Sequence, residues 1–261
     1  MIKKLNIKDE EYLLEFLLIE KEWNLFMIGD LINFGFNEEF LDYWGDYKND
    51  EQLNAVLMRF YDSFIIYSEG TYDAKSFAKI MANYDYQFIS GKESAVNQMA
   101  DEVTVDRKRK TYYAVLRSQE MLPEITFKSI EKTKIKDLES LLALQENEID
   151  AFDHNPSLER IKKRYLSGTG RGYHVKDENG NIISSVETSA ENPYAAMIIG
   201  VCTHPDHRNK GYATQLLIKT CQQVLDEEKS LCLFYDNPSA GKIYEKIGFQ
   251  SLGQWSIWKK E

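Results

Sequence analysis

The run AAMIIGVCT, residues 195–203, constrains the fold more than any other stretch of this chain. A continuous apolar segment of this length reads as a strand buried on both faces, and its sheet must then be covered on either side. The loop HPDHRNKG follows at 204–211, and an apolar helical run, YATQLLIKTCQQVLDEE, begins at Tyr212. Buried strand, cationic loop, glycine and helix, in that order, form a geometry for holding phosphates. A helix N-terminus leaves backbone N–H groups without intrahelical partners and carries partial positive charge. Gly211 lets the backbone approach an anion with no Cβ between them. Arg208 and Lys210 offset the repulsion from a chain whose formal net charge is −10.

The neighbouring segments extend this unit. EITFKSI (124–130) alternates in the manner of a strand. KIKDLESLLALQENEI and NPSLERIKKRYL read as helices, the second with Asn155 as N-cap and Pro156 at its first helical position. GYHVK and IISSVE flank DENGN, a hairpin turn by composition. LCLFY is a strand, PSAGKIYEKI a helix and FQSLGQWSIW a closing strand. The glycine-rich GTGRGY (168–173) precedes a strand rather than a helix, which is the wrong context for dinucleotide binding, and reads as a flexible loop. Strands alternating with helices predict a mixed α/β sheet.

The first half runs in the same order. A strand near 1–7 precedes helical stretches in 9–34. Strands QLNAVLMRF and SFIIYS, helix DAKSFAKIMANY, strand YQFIS, helix ESAVNQMADE and strand TYYAVLR follow. The polar SQEMLPE (118–124) is the candidate linker. The expected domains are therefore 1–119 and 124–261, diverged copies of one plan.

Composition narrows the function. With 43% apolar and 28% charged residues the chain can bury a core. No apolar stretch is long enough for a membrane span, and the acids within the first twenty residues argue against a signal peptide. Three cysteines, Cys202, Cys221 and Cys232, lack framework spacing and suit a reducing cytoplasm. The net negative charge disfavours nucleic acid.

The segment Arg208-Asn209-Lys210-Gly211-Tyr212-Ala213 resembles the (Q/R)xxGx(G/A) pyrophosphate signature of the GCN5-related N-acetyltransferase (GNAT) superfamily. VCTHPDHR is similar to that family's V-x-P-x-x-R strand exit, with one additional residue before the proline. DNPSAGKIYEKIGF resembles its second coenzyme A segment at Asn237, Ala240, Tyr244, Gly248 and Phe249. The resemblance covers residues 124–261, and the first half in its order of elements. It implies tandem acyl-CoA N-acyltransferase folds of the two-domain bacterial type, with a degenerate N-terminal copy and a complete C-terminal one. It also implies acetyl transfer from acetyl-CoA to a primary amine of a small molecule or peptide. By that analogy the pantetheine arm lies between two splayed parallel strands. Backbone groups of Val201, Cys202 and Thr203 would bond its amides, and a backbone N–H near Val201 would polarise the thioester carbonyl. The N–H groups of Arg208, Asn209, Lys210, Gly211, Tyr212, Ala213 and Thr214 would hold the pyrophosphate, with Asn237 beside the cofactor.

Tyr244 stands where the family places a general acid for the departing thiolate; the competing reading is an aromatic that packs the helix onto the sheet. No acid lies on the central strand. Glu187, at the end of the neighbouring strand, is the expected base, with Glu191 behind it and a solvated surface carboxylate as the alternative. His204 and His207 form HxxH in a loop without a second ligand cluster, so no metal is expected and they line the phosphate loop. Cys202, a small residue on a central strand without an activating partner, reads as inert rather than nucleophilic. The basic helix ERIKKRY (159–165) is a solvated face that borders the acceptor cleft in this family.

Overlaying FISGKESAVNQMA on LFYDNPSAGKIYE matches Ser94-Ala95 with Ser239-Ala240, but puts Lys92 against Asn237 and Met99 against Tyr244. Only EGTYD separates SFIIYS from its helix, and Glu69 and Asp73 would repel a phosphate. The first half is accordingly expected to be catalytically silent. The alternative to an enzyme is a non-catalytic sensor module that binds acyl-CoA; a homodimer is one possible assembly.

Overall fold

The computed structural model describes residues 1–49, 52–126, 129–148 and 157–260. By contact the chain divides into two compact units, Met1–Tyr113 with Leu252–Glu261, and Ala114–Ser251. This differs from a cut at 119/124, because the last strand of the chain joins the first unit.

In the first unit β1 (Ile2–Lys4) leads to α1 (Glu10–Leu18) and α2 (Leu25–Phe34). The antiparallel run β2 (Leu41–Tyr47), β3 (Leu53–Phe60) and β4 (Ser63–Ser68) follows. Then come α3 (Ala74–Met81), β5 (Phe88–Lys92), the one-turn α4 (Glu93–Val96) and β6 (Arg107–Leu116). β4 and β5 are parallel, pairing Ser63 with Phe88 through Ile66 with Gly91. The C-terminal strand β12 (Gln250–Lys259) lies antiparallel to β5, from Trp255 opposite Lys92 to Lys259 opposite Phe88. Trp255 stacks on Trp23 at 6.2 Å between centroids, and Trp258 belongs to the core that holds Trp44, Phe64 and Phe77.

The second unit repeats the order: β7 (Glu131–Lys132), α5 (Leu138–Glu148), α6 (Leu158–Leu166), β8 (Gly172–Lys176), β9 (Ile182–Ser189), β10 (Ala195–Thr203), α7 (Tyr212–Leu225), β11 (Ser230–Tyr235) and α8 (Pro238–Lys246). β8, β9 and β10 are antiparallel neighbours, whereas β10 runs parallel to β11. One face of this sheet carries α7, whose Leu216, Leu217, Ile218, Cys221 and Val224 are buried against Val186, Ala196, Ile198 and Leu231. The other face packs on α5 and α6 through Leu138, Leu141, Leu144 and Ile161. β10 is thus covered on both sides, as its apolar run requires.

Several expectations are corrected. Residues 124–130 are not a strand where described. The Thr126 N–H donates to the side-chain oxygen of Gln215 on α7, which holds the segment along a helix instead of in a ladder. The candidate linker 118–124 is exposed coil and turn apart from the half-buried Leu122, with Gln119 donating to Asp226. Asn155 and Pro156 lie outside the described residues; Ser157 caps α6, accepting from the Arg160 N–H. GTGRGY is pinned rather than flexible, because Arg171 is clamped between Glu191 and Glu227 and Gly170 packs on the Arg164 stem.

Asp30, on α2, is half-buried with no hydrogen-bond partner among the described residues, and burial raises its carboxyl from 3.8 to about 7. A carboxyl raised by folding binds its proton more tightly in the folded state. Its contribution is fully present below about pH 4, is lost as pH climbs toward 7, and stays lost above. Linkage caps the effect at about 4 kcal/mol. Asp30→Asn should therefore unfold like wild type at pH 4, yet be more stable by about 2–4 kcal/mol at pH 8 in urea titrations.

Candidate active site

The second unit opens at the end of β10. Pairing with β11 runs from Ala195 opposite Ser230 to Ile198 opposite Leu233 and stops there, although β10 continues to Thr203. On its other edge, β10 shifts register against β9 between Ile199, opposite Glu187, and Cys202, opposite Ser185. Gly200 and Val201 fall in that gap, a β-bulge that bends the strand and takes it out of the ladder. Gly200 has φ +63, the left-handed region that glycine enters without a Cβ penalty. Exposure follows the geometry: Ala195–Ile198 are buried, and Ile199–Val201 are only partly so.

Beyond Thr203 a single 3₁₀ turn, Pro205–His207, leads into an exposed loop. Asn209 and Gly211 both have positive φ, +60 and +83. Gly211 is the N-cap of α7 and contributes no side-chain cap, so the first turn of a fourteen-residue helix starts on bare backbone. Arg208 Nε donates to the Thr203 carbonyl at 3.1 Å and Lys210 Nζ to the Asp206 carbonyl at 3.1 Å. These carbonyls hold the two side chains at the loop. Tyr212, Ala213 and Thr214 form the half-buried first turn of α7. His204 and His207 lie 5.9 Å apart beside this loop. Among the described residues no cluster of three or more His, Cys, Asp or Glu is placed to hold a metal.

Asn237 caps α8 through its carbonyl, which accepts from the Ala240 and Gly241 N–H groups. Tyr244, two turns on, packs against the α7-side core together with Val201, Tyr212 and Tyr235. Its ring lies 5.6 Å from that of Tyr235 and 5.9 Å from that of Phe249. Burial raises the Tyr244 phenol above its ordinary range, so it stays protonated at neutral pH. The hydroxyl has no hydrogen-bond partner among the described residues.

Glu187 is fully buried and faces α5 and α6, which removes the solvated-carboxylate alternative. Its Oε1 accepts from Arg164 and from the Tyr165 hydroxyl, both at 2.7 Å, and its Oε2 accepts from Gln145 at 2.6 Å. The same ends touch the bulge: a Cβ placed on Gly200 would sit 2.6 Å from Gln145 Nε2 and 3.2 Å from Glu187 Oε2. Glu191 belongs to another network, with Arg171, Lys229 and the Thr188 hydroxyl. None of the three cysteines is in a disulfide; the Cys202 side chain lies on the α5 and α6 side of the sheet, in contact with Ser185 Oγ at 3.2 Å.

Sequence reasoning overlooked Gln145, Ser184 and Ser185, and it read Arg164 and Tyr165 as part of a solvated face at 159–165, whereas both turn inward to Glu187. The two serines had a usable signal, since adjacent hydroxyls in a strand buried on both faces must find partners. Ser184 donates to the Cys202 carbonyl at 2.9 Å and Ser185 to the Gly200 carbonyl at 3.1 Å.

The corresponding region of the first unit is closed by its own residues. The Asp73 carboxylate accepts from the Ser76 N–H and hydroxyl and so caps α3, where an anion would otherwise be drawn. Gln98 accepts from the Tyr72 N–H and donates to the Gly70 and Ser94 carbonyls, tying the short loop to α4. Met99 is buried in the core, and Lys92 is paired with Glu20 at 2.8 Å.

The parted pair of parallel strands thus lies directly ahead of a helix that starts on a glycine behind a cationic loop, with the Tyr244 phenol packed on the α7 side. Residues 136–249 match the model of the Acetyltransferase (GNAT) family, and we identify them as a GNAT-family domain. An uncharacterized N-acetyltransferase, ycf52, of Pyropia yezoensis is 27% identical over 74 residues, 28% of this chain and 42% of that protein. The matched stretch is thus less than half of that relative's length. The whole fold is that of tandem GNAT proteins. A tandem GNAT protein from the clavulanic acid biosynthesis pathway superposes with a TM-score of 0.62 at 12% identity, covering 100% of this chain and 98% of that one. A Drosophila protein gives 0.71 at 12% identity and the same coverage. A GCN5-related N-acetyltransferase from Sphaerobacter thermophilus gives 0.64 at 12% identity, covering 100% and 95%. Among the described residues no helix is long and apolar enough to cross a membrane.

Gly200→Ala should destabilise the protein by about 2–4 kcal/mol, from the left-handed backbone and the contact with Gln145. Gly180 also has a positive φ, +86, but open space around it. Gly180→Ala should cost only about 1 kcal/mol. Equal losses in chemical denaturation would show that the Gln145 contact does not matter.

Proposed function

We propose that this chain is an acetyl-CoA-dependent N-acetyltransferase that moves an acetyl group to a primary amine of a small molecule or peptide by direct attack on the thioester. The observation that carries this reading is the parting of β10 from β11 after Ile198, directly ahead of the Gly211 start of α7. A pantetheine arm could run in that opening as an added strand, bonding the backbone of Val201, Cys202 and Thr203. Its pyrophosphate would then meet the N–H groups from Arg208 to Thr214 at the helix start, with Asn237 on the far side. In the domains so proposed, the chemistry belongs to the 124–261 segment, whose last strand joins the first unit, and 1–119 are a silent copy.

The residues divide the reaction between them. The Val201 N–H bonds the thioester oxygen as negative charge develops there. The amine nitrogen forms its bond to the acetyl carbon, the carbon–sulfur bond breaks, and the Tyr244 hydroxyl gives its proton to the departing thiolate. Glu187 takes the proton that the new amide sheds. Its Oε2 accepts from Gln145 and lies beside the bulge, with lone-pair capacity for a further hydrogen bond. The absence of disulfides and the net charge of −10 support a cytoplasmic enzyme that does not act on nucleic acid.

The sensor reading predicts binding without turnover, so thiol release from acetyl-CoA with a panel of amines separates the two. Tyr244→Phe should lower kcat by about 100–10,000-fold, the range for losing one acid catalyst, and leave coenzyme A affinity within about threefold by calorimetry. Unchanged turnover in that variant would remove Tyr244 from the mechanism.

A further inference from the structure

We infer that Ser185 is a positioning residue which aims the Val201 N–H into the opening between β10 and β11. This deepens the acyl-transfer reading and rests on it. The inference follows from one peptide plane. The Gly200 carbonyl and the Val201 N–H belong to the same peptide unit, which is trans, as no cis peptide bond is present among the described residues. In a trans unit the C=O and N–H bonds point in opposite directions. Ser185, on β9, donates its hydroxyl to the Gly200 carbonyl at 3.1 Å. The carbonyl is thereby held toward β9, and the N–H is turned the other way, toward the edge where pairing with β11 has ended.

The plane needs such a tether. Gly200 and Val201 have no register partner on β9, and the pairing with β11 stops two residues earlier. A glycine at φ +63 without a ladder on either edge is free to rotate its peptide. On the α5 and α6 side, Gln145 and Glu187 lie against Gly200 and limit that rotation from one direction. The Ser185 hydroxyl, by contrast, bonds the peptide itself. It is supported in turn: Ser185 is fully buried, and Cys202 Sγ lies 3.2 Å from its Oγ. A hydroxyl has one proton, so when Ser185 donates it to the carbonyl, the thiol must be the donor in the second contact. The chain Sγ–H to Oγ–H to carbonyl also polarises the peptide, which strengthens the Val201 N–H as a donor. This gives the buried Cys202 thiol a place that requires no reactivity.

The test compares Ser185→Thr, which keeps the hydroxyl, with Ser185→Val, which has nearly the same shape and lacks it. Full-length protein is saturated with acetyl-CoA carrying ¹³C at the acetyl carbonyl, so no acceptor is needed. In wild type and Ser185→Thr the bound carbonyl resonance should move downfield of free acetyl-CoA; in Ser185→Val at least half of that displacement should be lost. With an acceptor amine, Ser185→Val should lose roughly tenfold in kcat with KM for acetyl-CoA within about threefold, while Ser185→Thr stays near wild type. If Ser185→Val does not fold, Ser185→Ala against wild type reads the same displacement. Valine and threonine variants with equal resonances and equal kcat would overturn the inference, as would a wild-type carbonyl that does not move on binding. Failure of acetyl-CoA to bind wild type in calorimetry would instead sink the acyl-transfer reading, and this inference with it.

Discussion

A single discontinuity, the bulge at Gly200 and Val201, sets everything that distinguishes the second unit. A regular strand in the middle of a sheet spends all its backbone groups on its neighbours and has none left for a ligand. β10 escapes this by entering the left-handed region at Gly200, slipping register against β9 and leaving β11. The backbone groups freed in this way cannot simply be abandoned in a buried place, because each would cost about 1–3 kcal/mol without a partner. Ser184 and Ser185 take up two of the carbonyls, and the remaining edge faces the opening. The site is thus made of main chain, and side chains serve chiefly to hold that main chain in an unusual shape.

The two units show what happens to one plan when this discontinuity is kept and when it is lost. In the first unit β4 stays paired with β5 up to Ile66 and ends two residues later. Gly91 lies so close to it that an added Cβ would be 2.3 Å from the Ile66 carbonyl oxygen. The helix that follows is capped by Asp73, a carboxylate supplied by the chain itself, where α7 begins on Gly211. Both helix starts need negative charge or hydrogen-bond acceptors. The first is met by a side chain of the chain itself, and the second starts on a glycine that contributes no side-chain cap.

The parts of this arrangement that were legible in the sequence are those written locally. The apolar run of β10, the cationic loop, Gly211 at the head of α7 and the helix bearing Tyr244 each announce themselves within ten residues. β2 was missed because Asp42, Gly45 and Asp46 break its apolar pattern, and their compensation comes from side chains on the neighbouring strand β3: Arg59 for Asp42, Asn54 for Asp46. Residues 124–130 alternate like a strand, yet a side chain on α7 takes the backbone donor of Thr126. Glu187 was found as a carboxylate of interest, but its partners Gln145, Arg164 and Tyr165 come from two other helices and could not be read from its neighbours. Ion pairs and hydrogen bonds between distant segments leave no periodic trace.

The same limit governs the domain division. FQSLGQWSIW reads as a strand wherever it goes, because alternation specifies a strand and not its sheet. Its destination is decided by what its side chains meet. Trp255 finds Trp23 and Tyr113, Trp258 enters the core around Trp44 and Phe64, and the backbone pairs with β5. Burying one tryptophan of this kind is worth several times a typical net hydrogen bond, so two of them outweigh the shorter connection back to the second unit. The first unit consequently lacks a strand and two core aromatics until the last ten residues of the chain arrive, and a cut between residues 119 and 124 does not yield two self-sufficient pieces. Local alternation makes the strand, and the aromatic side chains it carries decide which core it completes.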